Sequence, residues 1–490
     1  MKRLRVFLIL VFLFPIALIG QASVNFDEFF VDKTMRVDYY HIGDAKEEYI
    51  TIDHVYEQGI WAGSKECLLD PFDNGRYYVK IYDCASGKLI FSKGYNSYFG
   101  EYRTTDEAIK GIKRTYHETV LLPYPREKIK FNIEVRDREN KLNLFFTEEI
   151  DPNSIKIIRE KKDEGIKIFK ILENGNPHNK VDLVFLSEGY MQEEEQKFRK
   201  DIECMTEIFF KHEPYKSNKD SFNIYGAFKS SEESGCDEPR RGIFKKTVLN
   251  SSFNALNLER YLLTEDNRAV RDLAAAVPYD AIFIMVNHKR YGGGGIYNLY
   301  CTFTVDNQWS NYIFLHEFGH SFSGLADEYY TSSVTYNDFY PRGVEPTEPN
   351  ITALLSPQDI KWKSLMTAGI EIPTPWEKEV YDGMNSHYQK MRREMNEKIV
   401  VMKREGVSHE EIEKLEKESE KISKEHARKM DNLLLKSKFW GKVGAFEGAG
   451  YSSKGLYRPM LDCIMFSKGE KPFCNVCENA ILRVIGYYSK

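Results

Sequence analysis

Phe314-Leu315-His316-Glu317-Phe318-Gly319-His320-Ser321-Phe322-Ser323-Gly324-Leu325-Ala326-Asp327-Glu328-Tyr329 is the stretch from which the rest of the chain is read. On a helix, His316 and His320 stand one turn apart on the same face, so both imidazoles can reach a single metal ion. Glu317 then stands beside the water that such a metal polarises, the arrangement of a zinc-dependent hydrolase. The lead-in Asn311-Tyr312-Ile313-Phe314-Leu315 is apolar at helical spacing, and Gly319 allows the helix to pack closely on a neighbour. Gly324 ends the helix, because glycine accepts the positive φ that turns a chain at a helix C-terminus. That turn can bring Asp327 and Glu328 back toward the histidines. Asp327 is the expected third ligand, with Glu328 or a more distant residue as the alternatives. A surface helix with two ordinary histidines is the bland competitor, and the clustering of glycine and acids argues against it.

The segments before this motif alternate between strand and helix. Val181-Asp182-Leu183-Val184-Phe185-Leu186, Phe222 to Phe228 and Asp280 to Val286 read as buried strands, and the stretch after Met191 reads as a helix. This predicts an α/β domain. The glycine run from Gly292 to Gly295 lacks a phosphate-loop pattern and opens no helix. It reads as a flexible rim beside an edge strand, where an extended peptide could pair through its main chain.

Further out, Arg36-Val37-Asp38-Tyr39-Tyr40, Tyr77-Tyr78-Val79-Lys80-Ile81-Tyr82 and Lys130-Phe131-Asn132-Ile133-Glu134-Val135 are short alternating or aromatic-rich runs divided by turn signals at Asp73-Asn74-Gly75 and Ser86-Gly87-Lys88. They predict an N-terminal antiparallel β-sandwich over residues 23–155, without a catalytic cluster of its own. Asp151-Pro152-Asn153 and the charged run from Arg159 to Glu164 mark the boundary to a catalytic domain at 165–490. Inside that domain, residues 376–437 are rich in lysine and glutamate, with Met384, Tyr388, Met391, Met395 and Ile399 at helical steps. After Gly406, Ser408 and Glu411 form a capping box and the pattern resumes. The segment reads as an inserted hairpin of two antiparallel helices with solvated charges.

Met1 to Ala22 carries Lys2, Arg3 and Arg5, then an apolar run to Ile19, then Gly20 and Ala22 before Ser23, and so reads as a secretory signal peptide, its apolar core shorter than a bilayer span; an uncleaved membrane anchor is the alternative. The mature chain is expected to be exported, to the periplasm, the cell surface or the medium, with no stable membrane insertion. The chain has 490 residues, is 42 % hydrophobic and carries a formal net charge of -5, which suits globular domains and offers no basic field for nucleic acid. Among its eight cysteines, Cys463, Cys474 and Cys477 cluster near the C-terminus. A disulfide with Cys463 as one partner is the expected state; free thiols and a second metal are the alternatives.

The motif segment, Tyr291-Gly292-Gly293-Gly294-Gly295-Ile296-Tyr297-Asn298 and Gly444-Ala445-Phe446-Glu447-Gly448-Ala449-Gly450-Tyr451 resemble the bacterial IgA-peptidase family of zinc metallopeptidases. Arg36 to Tyr40, Trp61-Ala62-Gly63 and Phe99-Gly100-Glu101-Tyr102 resemble the N-terminal β domain of the same family, so the likeness spans nearly the whole mature chain. The resemblance implies a metzincin-like zincin domain in which Met465, within Asp462-Cys463-Ile464-Met465, lies in the methionine turn beneath the metal; Met460 is the alternative. The usual metzincin pattern HExxHxxGxxH differs here, with one more residue before Gly324 and Asp327 in place of the third histidine. Together the readings give a zinc endopeptidase acting on proteins or peptides, with His316, His320 and Asp327 as ligands and Glu317 as base. Tyr451 or Tyr457 is a candidate donor to the oxyanion. The rival is a noncatalytic carbohydrate- or protein-binding surface module with a structural or vestigial zinc, for which a glutamate next to the first histidine has no use.

Overall fold

Alternating side chains in the first third of the chain build two antiparallel sheets on a shared core. The computed structural model describes residues 24–159, 165–331 and 340–490; the expected signal peptide and residues 160–164 of the expected boundary lie outside the described residues. One sheet has three strands in the order Glu48–Glu57, Phe30–Gly43, Arg114–Pro125, and the other has four in the order Leu89–Tyr95, Tyr77–Asp83, Ile129–Arg136, Leu142–Ile150. Val37 and Tyr39 from the first sheet meet Ile81, Phe131 and Ile133 from the second in one apolar cluster. Ile157 joins that cluster and Ile158 bridges to Tyr56, so the N-terminal unit runs to the edge of the charged boundary.

A six-stranded mixed sheet follows, in the order Gly293–Ile296, Tyr300–Thr304, Ala281–Val286, Val181–Glu188, Phe222–Phe228, Lys167–Leu172. The four inner strands are parallel, and the two edge strands are antiparallel to their neighbours. Every residue of Val181–Glu188 is buried, as expected for a strand covered on both faces. Leu183 and Phe185 face the helices Glu195–Phe209 and Ser310–Ser323, while Val184 and Leu186 face the helix Asn267–Ala274 on the other side. Phe283 lies 4.8 and 4.6 Å, centroid to centroid, from Phe314 and Phe318 on the motif-bearing helix, which seats that helix on the sheet.

The glycine run is where the structure corrects the sequence reading. Instead of a flexible rim, Gly293–Ile296 is an edge strand laid against the motif helix. A Cβ at Gly295 would lie 2.3 Å from the Glu317 carbonyl oxygen, and one at Gly293 would lie 2.5 Å from Ile313 Cγ2. The glycines are needed for close approach, which a local pattern of glycine cannot distinguish from mobility. Gly295→Ala is expected to destabilise the fold by about 1–3 kcal/mol through overpacking, read as a lower thermal midpoint.

The two hairpin helices, Lys378–Arg404 and His409–Leu435, are each 27 residues long, and Ser408 caps the second by accepting from the Glu411 amide. Their base is not merely solvated. Tyr381, Met430 and Leu434 enter the main core, and Tyr388 stacks on His426 at 3.9 Å.

Candidate metal centre

The motif helix Ser310–Ser323 stops at Gly324, whose φ of 59° is left-handed. The amides of Gly324 and Leu325 bond back to the carbonyls of His320 and Gly319, reversing the chain so that Asp327 faces the two histidines. Asn74, from the turn between the two N-terminal sheets, donates to the Gly324 carbonyl at 3.2 Å and so fixes the reversal from outside.

Three side-chain atoms converge after this turn. His316 Nε2 and His320 Nε2 are 3.1 Å apart, and Asp327 Oδ1 lies 3.0 and 3.2 Å from them. His316 Nδ1 contacts the Ile464 carbonyl at 3.0 Å, and His320 Nδ1 contacts the Leu325 carbonyl at 2.6 Å. A carbonyl oxygen only accepts, so each Nδ1 carries its proton and each Nε2 of the neutral ring presents a lone pair. Asp327 Oδ1 is buried and makes no hydrogen bond. Three ligand atoms therefore converge on one small space, and a cation there, a metal ion or a proton on the imidazoles, satisfies them; burial lowers the His320 pKa, but Asp327 outweighs it and raises it to about 9. A tetrahedral zinc with nitrogen and oxygen ligands at ~2.0–2.1 Å spaces those ligands roughly 3.3 Å apart, close to the triangle found here. The donor set fits a metal.

Asp327 is held on its other side as well, since Tyr451 donates a short hydrogen bond to Oδ2. Burial works against its ionisation, yet His320 and His316 hold it well below the ordinary carboxylate range. Glu317 is half-buried at the cleft floor, its carboxylate within 4.8 Å of the ligand atoms of both histidines. Burial pushes its carboxyl upward, and the two histidines oppose the shift.

Met465 is fully buried and its sulfur lies 2.9 Å from where a Cβ on Gly319 would sit, so it packs directly under the motif helix. Met460 is only half-buried at the edge of the core. Of the two tyrosines expected near the oxyanion, Tyr451 lines the cleft, whereas Tyr457 lies in the strand Ser452–Arg458 and is not among the cleft residues. Glu328, the alternative third ligand, points away from the histidines and toward Cys477, with its Oε1 3.2 Å from the Cys477 sulfur. The expected disulfide is not formed: Cys463, Cys474 and Cys477 are free thiols, gathered around Glu328 instead of paired with one another.

Several cleft residues carry no signal in a linear reading. Arg260 donates to the Tyr329 hydroxyl at 2.8 Å, and the pair lines the cleft. Tyr329 directly follows the two acids of the motif and could have been flagged by that position alone. Arg392 and Arg393 reach the same cleft from the first hairpin helix. Residues 260–262 also cover part of the edge strand, with the Leu262 amide donating to the Gly293 carbonyl at 3.2 Å. The edge expected to receive a peptide is thus taken at Gly293, while Gly295 still lines the cleft.

A family model described as IgA Peptidase M64 matches residues 169–485, and a second, described as Peptidase M64 N-terminus, matches residues 25–147. No curated protein matches the chain.

Proposed function

The chain belongs to the IgA peptidase M64 family, and from that premise we propose that it is an exported zinc endopeptidase whose metal is held by His316, His320 and Asp327 with Glu317 as general base. A peptidase acts on proteins or peptides. The observation that carries the finer reading is the triangle of three acceptors with both Nδ1 atoms tied to carbonyls. Two imidazoles and one carboxylate, all lining the cleft, would form the ligand set of a catalytic zinc. Bound there, zinc supplies Lewis acidity toward a water and the scissile carbonyl. Glu317 takes the proton from the attacking water and delivers it to the leaving amine nitrogen, a role suited to a carboxylate at the cleft floor. The Ile464 and Leu325 carbonyls hold the imidazoles in one tautomer and orientation, and Tyr451 holds Asp327. Met465, packed under Gly319, supports the metzincin-like arrangement. Among the described residues no helix is long and apolar enough to cross a membrane; the proposal of export rests on the signal-like pattern of Met1 to Ala22.

The direct test is cleavage of an unfolded protein by the purified mature chain. A chelator should abolish cleavage and stoichiometric zinc should restore it; cleavage indifferent to chelation would contradict the reading. Asp327→Ala is expected to weaken zinc at the histidines by more than about 100-fold. Tyr451→Phe disturbs only a partner of a ligand and should cost about 10–100-fold. A metal titration that ranked these two the other way would move the third ligand elsewhere.

Arg392 and Arg393 place two positive charges on the cleft wall. The double change Arg392→Ala with Arg393→Ala should raise KM for substrates with acidic side chains near the scissile bond and leave zinc content unchanged. An equal KM for acidic and neutral peptides in the variant and the parent would assign these arginines to the surface of the hairpin only.

A further inference from the structure

We propose that Glu328, Cys463, Cys474 and Cys477 form a second metal site, closed and separate from the cleft, that holds a structural zinc ion. Their ligand atoms all lie within 4.8 Å of one another and all four side chains are buried. Cys463 Sγ and Cys477 Sγ are 3.9 Å apart, and Glu328 Oε1 is 3.7 Å from Cys474 Sγ and 3.2 Å from Cys477 Sγ. Around a tetrahedral zinc with sulfur at ~2.3 Å and oxygen at ~2.0–2.2 Å, such ligands stand roughly 3.5–3.8 Å apart. Four buried protein ligands are the pattern of a structural site.

Backbone amides are aimed at two of the three sulfurs. The amides of Cys474 and Met465 point at Cys463 Sγ from 3.2 and 3.4 Å, and the Cys477 amide points at Cys474 Sγ from 3.5 Å. Cys474 is the N-cap of the 14-residue helix Asn475–Tyr488 and Cys477 lies in its first turn, where the helix dipole favours thiolate. Glu328 is fully buried, and only its Oε1 is engaged, by Asn350 at 3.1 Å and by the thiols. Its Oε2 has no hydrogen-bond partner. The buried Arg458 guanidinium acts on this carboxylate through its charge, but it directs its hydrogen bonds to backbone carbonyls such as that of Gly448 at 2.8 Å and stacks over Phe466. A disulfide between any two of the cysteines would leave the third thiol facing a buried carboxylate whose Oε2 has no hydrogen-bond partner.

The position gives the site a purpose. Glu328 directly follows Asp327, and Cys463 directly precedes Ile464, whose carbonyl holds His316. The Glu328 amide donates to the Met465 carbonyl at 2.9 Å. A metal here would pin the segment of the third ligand, the methionine turn and the C-terminal helix to one point.

Zinc content of the purified chain, with cobalt substitution, tests the proposal. The wild-type chain should bind two zinc per molecule, and its cobalt form should show a thiolate-to-cobalt charge-transfer band. The doubly substituted His316→Ala, His320→Ala chain should keep one metal and that band. Cys474→Ser with Cys477→Ser should lose the band; should that variant fail to fold, the wild-type spectrum decides alone. A saturated wild-type chain without the band, or a disulfide from Cys463 in the unreduced peptide map, overturns the proposal. One zinc with the thiolate band would uphold this site and contradict the histidine site, so the two readings fail separately.

Discussion

Glu317→Gln is expected to keep its metal and lose peptidase turnover by about 10²–10⁴-fold, the range of a general acid–base contribution. The substitution changes one oxygen to an amide nitrogen of nearly the same size. His316, His320 and Asp327 are untouched, and so are the Ile464, Leu325 and Tyr451 contacts that orient them. What the amide cannot do is take a proton from water and pass it to the departing nitrogen. The loss should therefore fall on kcat, with KM nearly constant, because the carboxylate is asked to act in the transition state. A binding module with a vestigial metal predicts no change in any property on this substitution. Turnover in the variant within a few-fold of the parent would remove Glu317 from the chemistry.

His316→Ala or His320→Ala should act on the earlier step, by loss of the metal itself. Each change deletes one of three converging acceptors and leaves only two protein ligands, too few for a catalytic zinc. The affinity at this site should fall by more than about 100-fold, beyond what disturbing an outer partner costs. Activity should vanish at ordinary zinc concentrations, while the fold persists, because the helix is seated by Phe314 and Phe318 on the sheet and not by its histidines. Zinc titration followed by circular dichroism distinguishes the outcomes: an intact far-ultraviolet spectrum with lost binding is expected, and unchanged affinity would take the histidine out of the ligand set.

The parts of the site legible in the sequence are those that depend on local spacing. Two histidines one helical turn apart, a glutamate between them and a glycine that reverses the chain define His316, Glu317, His320 and, through the turn, Asp327. The alternation of strands and helices before the motif was equally local, and the structure has strands at Val181–Glu188, Phe222–Phe228 and Ala281–Val286. What the sequence could not carry was pairing over long separations. Arg260 meets Tyr329, Asn74 meets Gly324 and Arg392 reaches the cleft only because two domains and a hairpin fold against the motif helix. The glycine run shows the same limit, since its meaning lies in the helix pressed against it. Cys463, Cys474 and Cys477 were read among themselves as a disulfide group, because nothing in their spacing announces Glu328 as a fourth member. Lysine and glutamate in the hairpin gave the right helices and an incomplete role, as composition reports solvation and not which side faces a cleft.

Anomalous scattering at the zinc absorption edge, from crystals of the mature chain grown with zinc, tests the central claim most directly. A peak is expected inside the triangle of His316 Nε2, His320 Nε2 and Asp327 Oδ1, next to the Glu317 carboxylate. A zinc-replete crystal with no peak in that triangle would contradict that claim.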